Sequence, residues 1–185
     1  MVSFPRYEQY KDSGVEWLGE IPEHWNVSKL KYIIDKIESG KREQTSRKDI
    51  LSIGGEHLQN GKLVLTNKKY VSKSFYQKLK KGRVKKHDIL LVKDGATIGK
   101  SIYINEELKE PILINEHLYK IEASKFLYYY LISEKAQLYI WFSNNSSAQE
   151  GLNLSTIKNL VCPIPSLKEQ NRIVEFLDRK TEEID

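Results

Sequence analysis

This chain is poor in the residues that fasten small proteins from within. Its one cysteine, Cys162, has no mate for an internal disulfide, and its four histidines are too scattered for a zinc-ligand spacing. Cys162 reads instead as a small core hydrophobe. Long apolar runs are missing as well. No stretch of about 18 apolar residues is present to span a bilayer, and Met1-Val-Ser-Phe-Pro-Arg6 lacks the apolar segment of a secretion signal. The expectation is a soluble, cytoplasmic protein. No Pro-Pro pair occurs, so the chain lacks the Asn/Asp-Pro-Pro-Tyr/Phe motif by which an adenine methyltransferase holds the amino group it modifies. Its 185 residues leave room for one well-buried domain and an appendage.

Positive charge is present but unevenly spread. The formal net charge is +5, yet residues 36–100 hold 17 Lys/Arg against 6 Asp/Glu, while the rest holds 13 against 19. A cationic third of a chain, set around loops, points to a polyanion, and nucleic acid is the leading partner. The bland alternative is a lysine-rich solvated face.

Within that third, HDILLVKDGATIGKS (residues 87–101) resembles a phosphate-binding loop. The P-loop needs four residues between its glycines and a helix behind them, so that backbone N–H groups wrap a phosphate. Only Ala96, Thr97 and Ile98 separate Gly95 from Gly99, and Ser101-Ile-Tyr-Ile alternates like a strand. The spacing therefore predicts a hairpin with turn glycines rather than an ATP site.

The remaining pattern is a mixture of short elements. Residues 10–25 are rich in turn formers yet carry Trp17 and Trp25, which predicts an ordered strap lying across the domain. Val27, Leu30, Ile33, Ile34 and Ile37 recur at helical spacing, although β-branching makes a strand a competing reading. Strands are expected at 50–53, from Lys62, at 88–92, 98–104, 112–115, 117–121 and 160–165, with Asn60-Gly61 as the turn between the first two. Short helices are expected from Ser74 to a stop at Gly82, and a longer one over 125–142 after Ser124. The fold class is mixed α/β (α+β): a twisted sheet region with flanking short helices over residues 1–165. A projecting C-terminal coiled-coil helix over 166–185 follows the capping box Ser166-Leu-Lys-Glu169. Its stripe of Ile173, Val174, Leu177 and Ile184 has no second helix in the chain to cover it.

Three stretches in order, LGEIPEHWNVSKLK, DILLVKDGATIGK and NLVCPIPSLKEQNRIVEFLDRKTEEID, resemble the specificity subunit of type I restriction-modification systems. The likeness runs over essentially the whole chain. It implies a target-recognition domain that reads one half of a split DNA sequence, followed by the start of a spacer helix. It also implies partners: double-stranded DNA, the methylation and restriction subunits, and a second recognition domain or a twin chain paired through the C-terminal helix. S-adenosylmethionine, ATP and magnesium would be used by those partner subunits, with no cofactor in this chain. The family pattern has a second half that this chain lacks, so a fragment and a half-length subunit both remain open. A stand-alone DNA-binding regulator or anti-restriction protein on the same domain is an alternative.

DNA reading needs phosphate contacts for register and base-edge contacts for sequence. The phosphate candidates are Lys41, Arg42, Arg47, Lys48, Lys68, Lys69, Lys73, Lys93 and Lys100, all near predicted loops or strand ends. The polar loops at 54–60 and 144–153 supply the base-reading candidates Glu56, His57, Gln59, Asn60, Gln149 and Asn153. A metal-dependent nuclease would have to draw on Asp88, Asp94, Glu107 and Lys109, although Asp is common at strand ends for backbone reasons.

Overall fold

Every position of Asp88-Ile-Leu-Leu-Val92 is buried, and its side chains divide between two cores. Period-two alternation sends Ile89 and Leu91 to one face and Leu90 and Val92 to the other, so this strand must lie inside a layered stack. The computed structural model describes residues 6–145 and 151–183. In chain order its elements are β1 (Tyr10–Asp12), β2 (Glu20–Pro22), β3 (Asn26–Lys29), β4 (Lys36–Ser39), β5 (Ile50–Ile53), β6 (Leu58–Gln59), β7 (Lys62–Leu63) and β8 (Lys69–Val71). There follow α1 (Lys73–Lys78), β9 (Asp88–Val92), β10 (Ser101–Tyr103), β11 (Ile112–Ile114) and β12 (Leu118–Glu122). The chain then runs through α2 (Lys125–Leu131), α3 (Glu134–Asn145), α4 (Leu154–Asn159), β13 (Val161–Ile164) and α5 (Leu167–Glu182).

An antiparallel sheet in the order β10-β9-β12-β4 is the middle layer. On one side Ile89, Leu91, Tyr119 and Ile121 pack with Phe126, Leu127, Tyr130 and Leu131 of α2 and with Ile140 and Ile157 of the helices that follow. On the other side Leu90, Val92, Ile102 and Leu118 meet Leu51, Ile53, Ile112 and Ile114 of a second sheet, β11-β5-β8, whose first pair is parallel. The mixed α/β class is borne out. The glycine stretch is the expected hairpin: β9 and β10 pair antiparallel, and Gly95 and Gly99 take φ of 80° and 85°.

The apolar middle sheet carries one buried ionic group. Lys120, 3% exposed, lies 2.7 Å from Glu122, 3.5 Å from Glu38 and 3.7 Å from Asp88. Burial alone would lower its pKa, but the hydrogen bond to Glu122 and the charges of Asp88, Glu122 and Glu38 raise it. The lysine therefore stays charged inside the fold.

Several sequence expectations are corrected. Of the two readings open for residues 26–39, the strands form: β3 and β4 are joined through a single 3-10 turn, with β-branched Val27 and Ile37 on the pleated surface. Asn60-Gly61 turns β6 into β7 rather than β5 into β7, while β5 pairs with β11 and β8. The 125–142 helix is broken at Ile132-Ser133. The Ser133 hydroxyl donates to the Tyr130 carbonyl at 2.6 Å, closing α2 just before α3 begins. Helix α1 is capped by Ser72, whose Oγ accepts from the Phe75 N–H at 3.1 Å, and not by Ser74.

The C-terminal helix is present, and the expectation that nothing in the chain covers it is overturned. Ile173 and Val174 pack on the helical core, Tyr129 of α2 donates to Asp178 at 2.5 Å, and Lys125 pairs with Asp178 at 2.7 Å. Half of the expected capping box forms, since Ser166 Oγ accepts from the Glu169 N–H. The Glu169 carboxylate turns instead to the N-terminal strap, accepting from Tyr7 Oη at 2.6 Å and Trp25 Nε1 at 3.1 Å and lying 3.0 Å from His24 Nε2. Ile184 lies outside the described residues.

Candidate nucleic-acid interface

The loop that joins β4 to β5 carries Lys41, Arg42, Arg47 and Lys48 together with Glu43 and Asp49, and both acids are hydrogen-bonded to the start of α1. Glu43 accepts from the Ser72 N–H at 2.6 Å and from its hydroxyl at 2.8 Å, and Asp49 accepts from the Lys73 N–H at 2.9 Å. Both acids thus satisfy unpaired donors at the start of α1. The four cations are left facing solvent. Gly40 permits the sharp departure from β4: a Cβ there would run into the carbonyl oxygens of Ile114 and Asn115.

Across from this loop stands β8. Its Lys69 is in register with Ser52 of β5, and Lys68 precedes it. Between loop and strand runs a groove of about 590 Å³ lined by Arg42, Arg47, Lys48, Lys68 and Lys69 and by one acid, Glu43, with Gln44, Ser52, Tyr70 and Asn115 among its polar and aromatic lining. Five of the nine expected phosphate contacts therefore converge on one concave surface. The guanidinium of Arg47 and the ammonium groups of Lys48 and Lys68 meet no carboxylate among the described residues. Lys69 is partly committed, 2.5 Å from Glu56. Burial pushes the Glu56 carboxyl up, but the Lys69 hydrogen bond and the charges of Lys69 and His57 outweigh it and hold the group below its ordinary range.

A second basic hollow of about 300 Å³ adjoins the first through Lys41, which lines it with Lys78, Lys80 and Lys81. Lys93 donates to Ser39 Oγ at 3.2 Å and sits 5.4 Å from the centre of the Tyr119 ring. Lys100 is exposed at the end of the same hairpin, and Lys73 is exposed on the first turn of α1.

The base-reading candidates fare differently. His57 is 1% exposed and its Nδ1 accepts from the Gly54 N–H at 3.0 Å, so it holds its own loop and cannot reach a base. The Asn153 side chain caps α4, accepting from the Thr156 N–H at 2.8 Å. Gln59 is exposed but donates to the Glu56 carbonyl at 2.9 Å, and Asn60 supplies the turn's φ of 48°. Gln149 lies outside the described residues.

Sequence reasoning missed one arrangement beside the groove. The Arg42 guanidinium is 2.7 Å from Glu116 through Nε and 3.1 Å from His117 Nε2 through Nη2, and His117 Nδ1 is 2.6 Å from Asp94. Glu116 and His117 lie in the turn between β11 and β12, and Asp94 lies in the hairpin after β9, so three loops meet at one end of the sheets. A polar triplet, Asn115-Glu116-His117, between two apolar strands was the available signal.

A nuclease centre does not assemble from the acids named above. Asp88 and Asp94 flank opposite ends of β9, and among the described residues no group of His, Cys, Asp and Glu could hold a metal ion. Nor is any described helix long and apolar enough to cross a membrane.

Fold and groove together define a layered α/β domain with a cationic groove. Residues 22–185 match the family model described as type I restriction modification DNA specificity domain. The chain belongs to that family. It is 29% identical over 169 residues to the type I restriction enzyme EcoBI specificity subunit of Escherichia coli, covering 86% of this chain and 35% of that protein. It is 27% identical over 171 residues to the MjaVIII specificity subunit of Methanocaldococcus jannaschii, covering 86% of this chain and 40% of the relative. The fold is also that of the HsdS subunit from Thermoanaerobacter tengcongensis, with a TM-score of 0.64 at 19% identity over 95% of this chain and 41% of that one. The chain thus spans well under half the length of these relatives.

Proposed function

We propose that this chain is a non-catalytic DNA-recognition module of a type I restriction-modification enzyme. It reads one half of a bipartite target and delivers partner subunits that methylate adenine and cleave DNA using S-adenosylmethionine, ATP and magnesium. The observation that carries the reading is the groove between the 40–49 loop and β8. There Arg42, Arg47, Lys48, Lys68 and Lys69 gather around a single acid, Glu43, whose carboxylate is bonded to Ser72, the N-cap of α1. Three of these cations, Arg47, Lys48 and Lys68, meet no carboxylate among the described residues. The groove offers cations for phosphates, three of them without a carboxylate partner among the described residues, beside polar groups for base edges, which is the division of labour that duplex reading needs.

The test is duplex binding measured against salt, for the chain alone and assembled with its methylating subunit. Each neutralised phosphate steepens the fall of log affinity with log salt by about 0.9. Replacing Arg47, Lys48 and Lys68 together by Gln is therefore expected to flatten that slope by between two and three. A wild-type protein with no affinity for any duplex at low ionic strength, even when assembled, would end the proposal.

A further inference from the structure

Resting on that reading, we infer that Arg42 reads a guanine in the major groove, and that Glu116, His117 and Asp94 are positioning residues that aim it. Phosphate binding tolerates a loose cation, whereas base reading needs a guanidinium held in one orientation. Arg47, Lys48 and Lys68 have the first character, with side chains that meet no carboxylate among the described residues. Arg42 has the second.

The hydrogen-bond directions fix its aim. Asp94 Oδ1, 2.6 Å from His117 Nδ1, is an acceptor, so the ring proton sits on Nδ1 and the Nε2 lone pair faces Arg42. Arg42 Nη2 donates to that lone pair at 3.1 Å and Nε donates to Glu116 Oε1 at 2.7 Å. One side of the guanidinium is therefore spent on the protein. Its far end, with both N–H groups of Nη1 and one of Nη2, stays free. That end presents two parallel donors, the pair that matches guanine O6 and N7. The Glu116 atom Oε2 is shielded from solvent without a hydrogen-bond partner, so the brace includes a desolvated carboxylate that meets Arg42 through its other oxygen. The Arg42 side chain is nonetheless 56% exposed and lines the groove, so it is anchored at one end and open at the other. An arginine serving only to tie loops together would have no need of that open end.

The experiment is enrichment of bound sequences from random duplexes by the full chain assembled with its methylating subunit, comparing wild type with Arg42→Lys, Glu116→Gln and Asp94→Asn. Because an ammonium lacks the planar fork that meets O6 and N7 together, wild type is expected to enrich a guanine at one position that Arg42→Lys selects about tenfold less strongly or weaker still. Its other positions and its salt slope should hold, because the charge remains. Glu116→Gln and Asp94→Asn are expected to weaken selection at that same position only. A duplex with 7-deazaguanine at that position should bind wild type more weakly and leave Arg42→Lys unaffected. Retention of the guanine by Arg42→Lys, or an equal decay of every position, overturns the inference while leaving the DNA-binding reading intact. Enrichment of nothing by wild type defeats that reading instead. If Arg42→Lys does not fold, the 7-deazaguanine duplex on unaltered protein decides: unchanged binding at every enriched guanine overturns the inference.

Discussion

At the scale of single residues, Lys120 is a buried charge enclosed by Glu38, Asp88 and Glu122. Its removal would leave buried carboxylates facing one another, so Lys120→Met is expected to destabilise the domain by about 3–5 kcal/mol in denaturant titrations. The same cluster sets a pH dependence. Hydrogen bonding to Lys120, then to Lys85, overcomes burial and holds the Glu122 carboxyl at about 2. A folded pKa below the unfolded value stabilises above the unfolded pKa and is lost as pH falls towards the folded one. Stability should thus drop by about 1–2 kcal/mol between roughly pH 4.5 and pH 2, a figure discounted for solvent screening. Asp88 moves the other way, because burial raises its pKa against the Lys85 N–H and Lys120, and its protonation recovers part of the loss. Glu122→Gln should flatten that limb of the stability curve, and an unchanged limb would mean that Glu122 does not carry it. The groove cations at 41–48 and 68–69 were legible in sequence because they cluster near loops. The burial of His57 was not legible, because its partner is a backbone N–H of its own loop, and Asn153, though exposed, spends its Oδ1 on a cap of the same local kind. The brace on Arg42 was illegible because Arg42 and His117 are 75 positions apart and meet only through the strand order.

Among the elements, α5 shows how far pattern reading reaches and where it stops. Its span and its Ser166 cap follow from the capping box and the spacing of Ile173, Val174 and Leu177. Its seat on α2 does not, because the helical run 125–142 read as one piece, and only the break at Ser133 sets α2 apart. Strand positions were likewise legible from β-branched runs, whereas strand partners were not: β11 and β12 follow one another yet belong to different sheets. The consequence is a split within one stripe. Ile173→Ser or Val174→Ser, each removing a side chain packed on the core, is expected to cost about 1–3 kcal/mol of domain stability. Leu177→Ser should cost less, since that side chain is half-buried and is not part of the core packing, and should act on partner docking instead. Equal thermal shifts for all three would show that the helix offers no outward face. At the other end of α5, Glu169 ties the strap through Tyr7, His24 and Trp25, and burial together with Glu169 pushes the Tyr7 hydroxyl up to about 12. Glu169→Ala should leave those donors unmatched at about 1–3 kcal/mol and hasten proteolytic cleavage within residues 6–25.

For the whole molecule the governing relation is between one reading face and one helix. The chain covers 35% and 40% of two specificity-subunit relatives, and on the proposed reading its one described cationic groove serves one half of a bipartite site. A helix of 16 residues is about 24 Å long, and along α5 the half-buried Leu177 lies outside the core packing. Pairing the helix with a twin chain would place two grooves about a two-fold axis, and the target would then be an interrupted inverted repeat. Joining it to a different recognition unit would give two unlike half-sites. The two arrangements part company in mass and in sequence: a twin gives twice 21.6 kDa by light scattering together with a palindromic enriched site. Either arrangement makes the gap between half-sites rigid, because a helical spacer does not stretch. Inserting one base pair in the gap turns one half-site by roughly 35° about the duplex axis, which carries its guanine away from Arg42. Affinity for the lengthened duplex is expected to fall at least tenfold in competition binding, towards that of a duplex holding one half-site. If the lengthened and native gaps bound alike, the two reading faces would be tethered flexibly, and α5 could not be setting the distance between them.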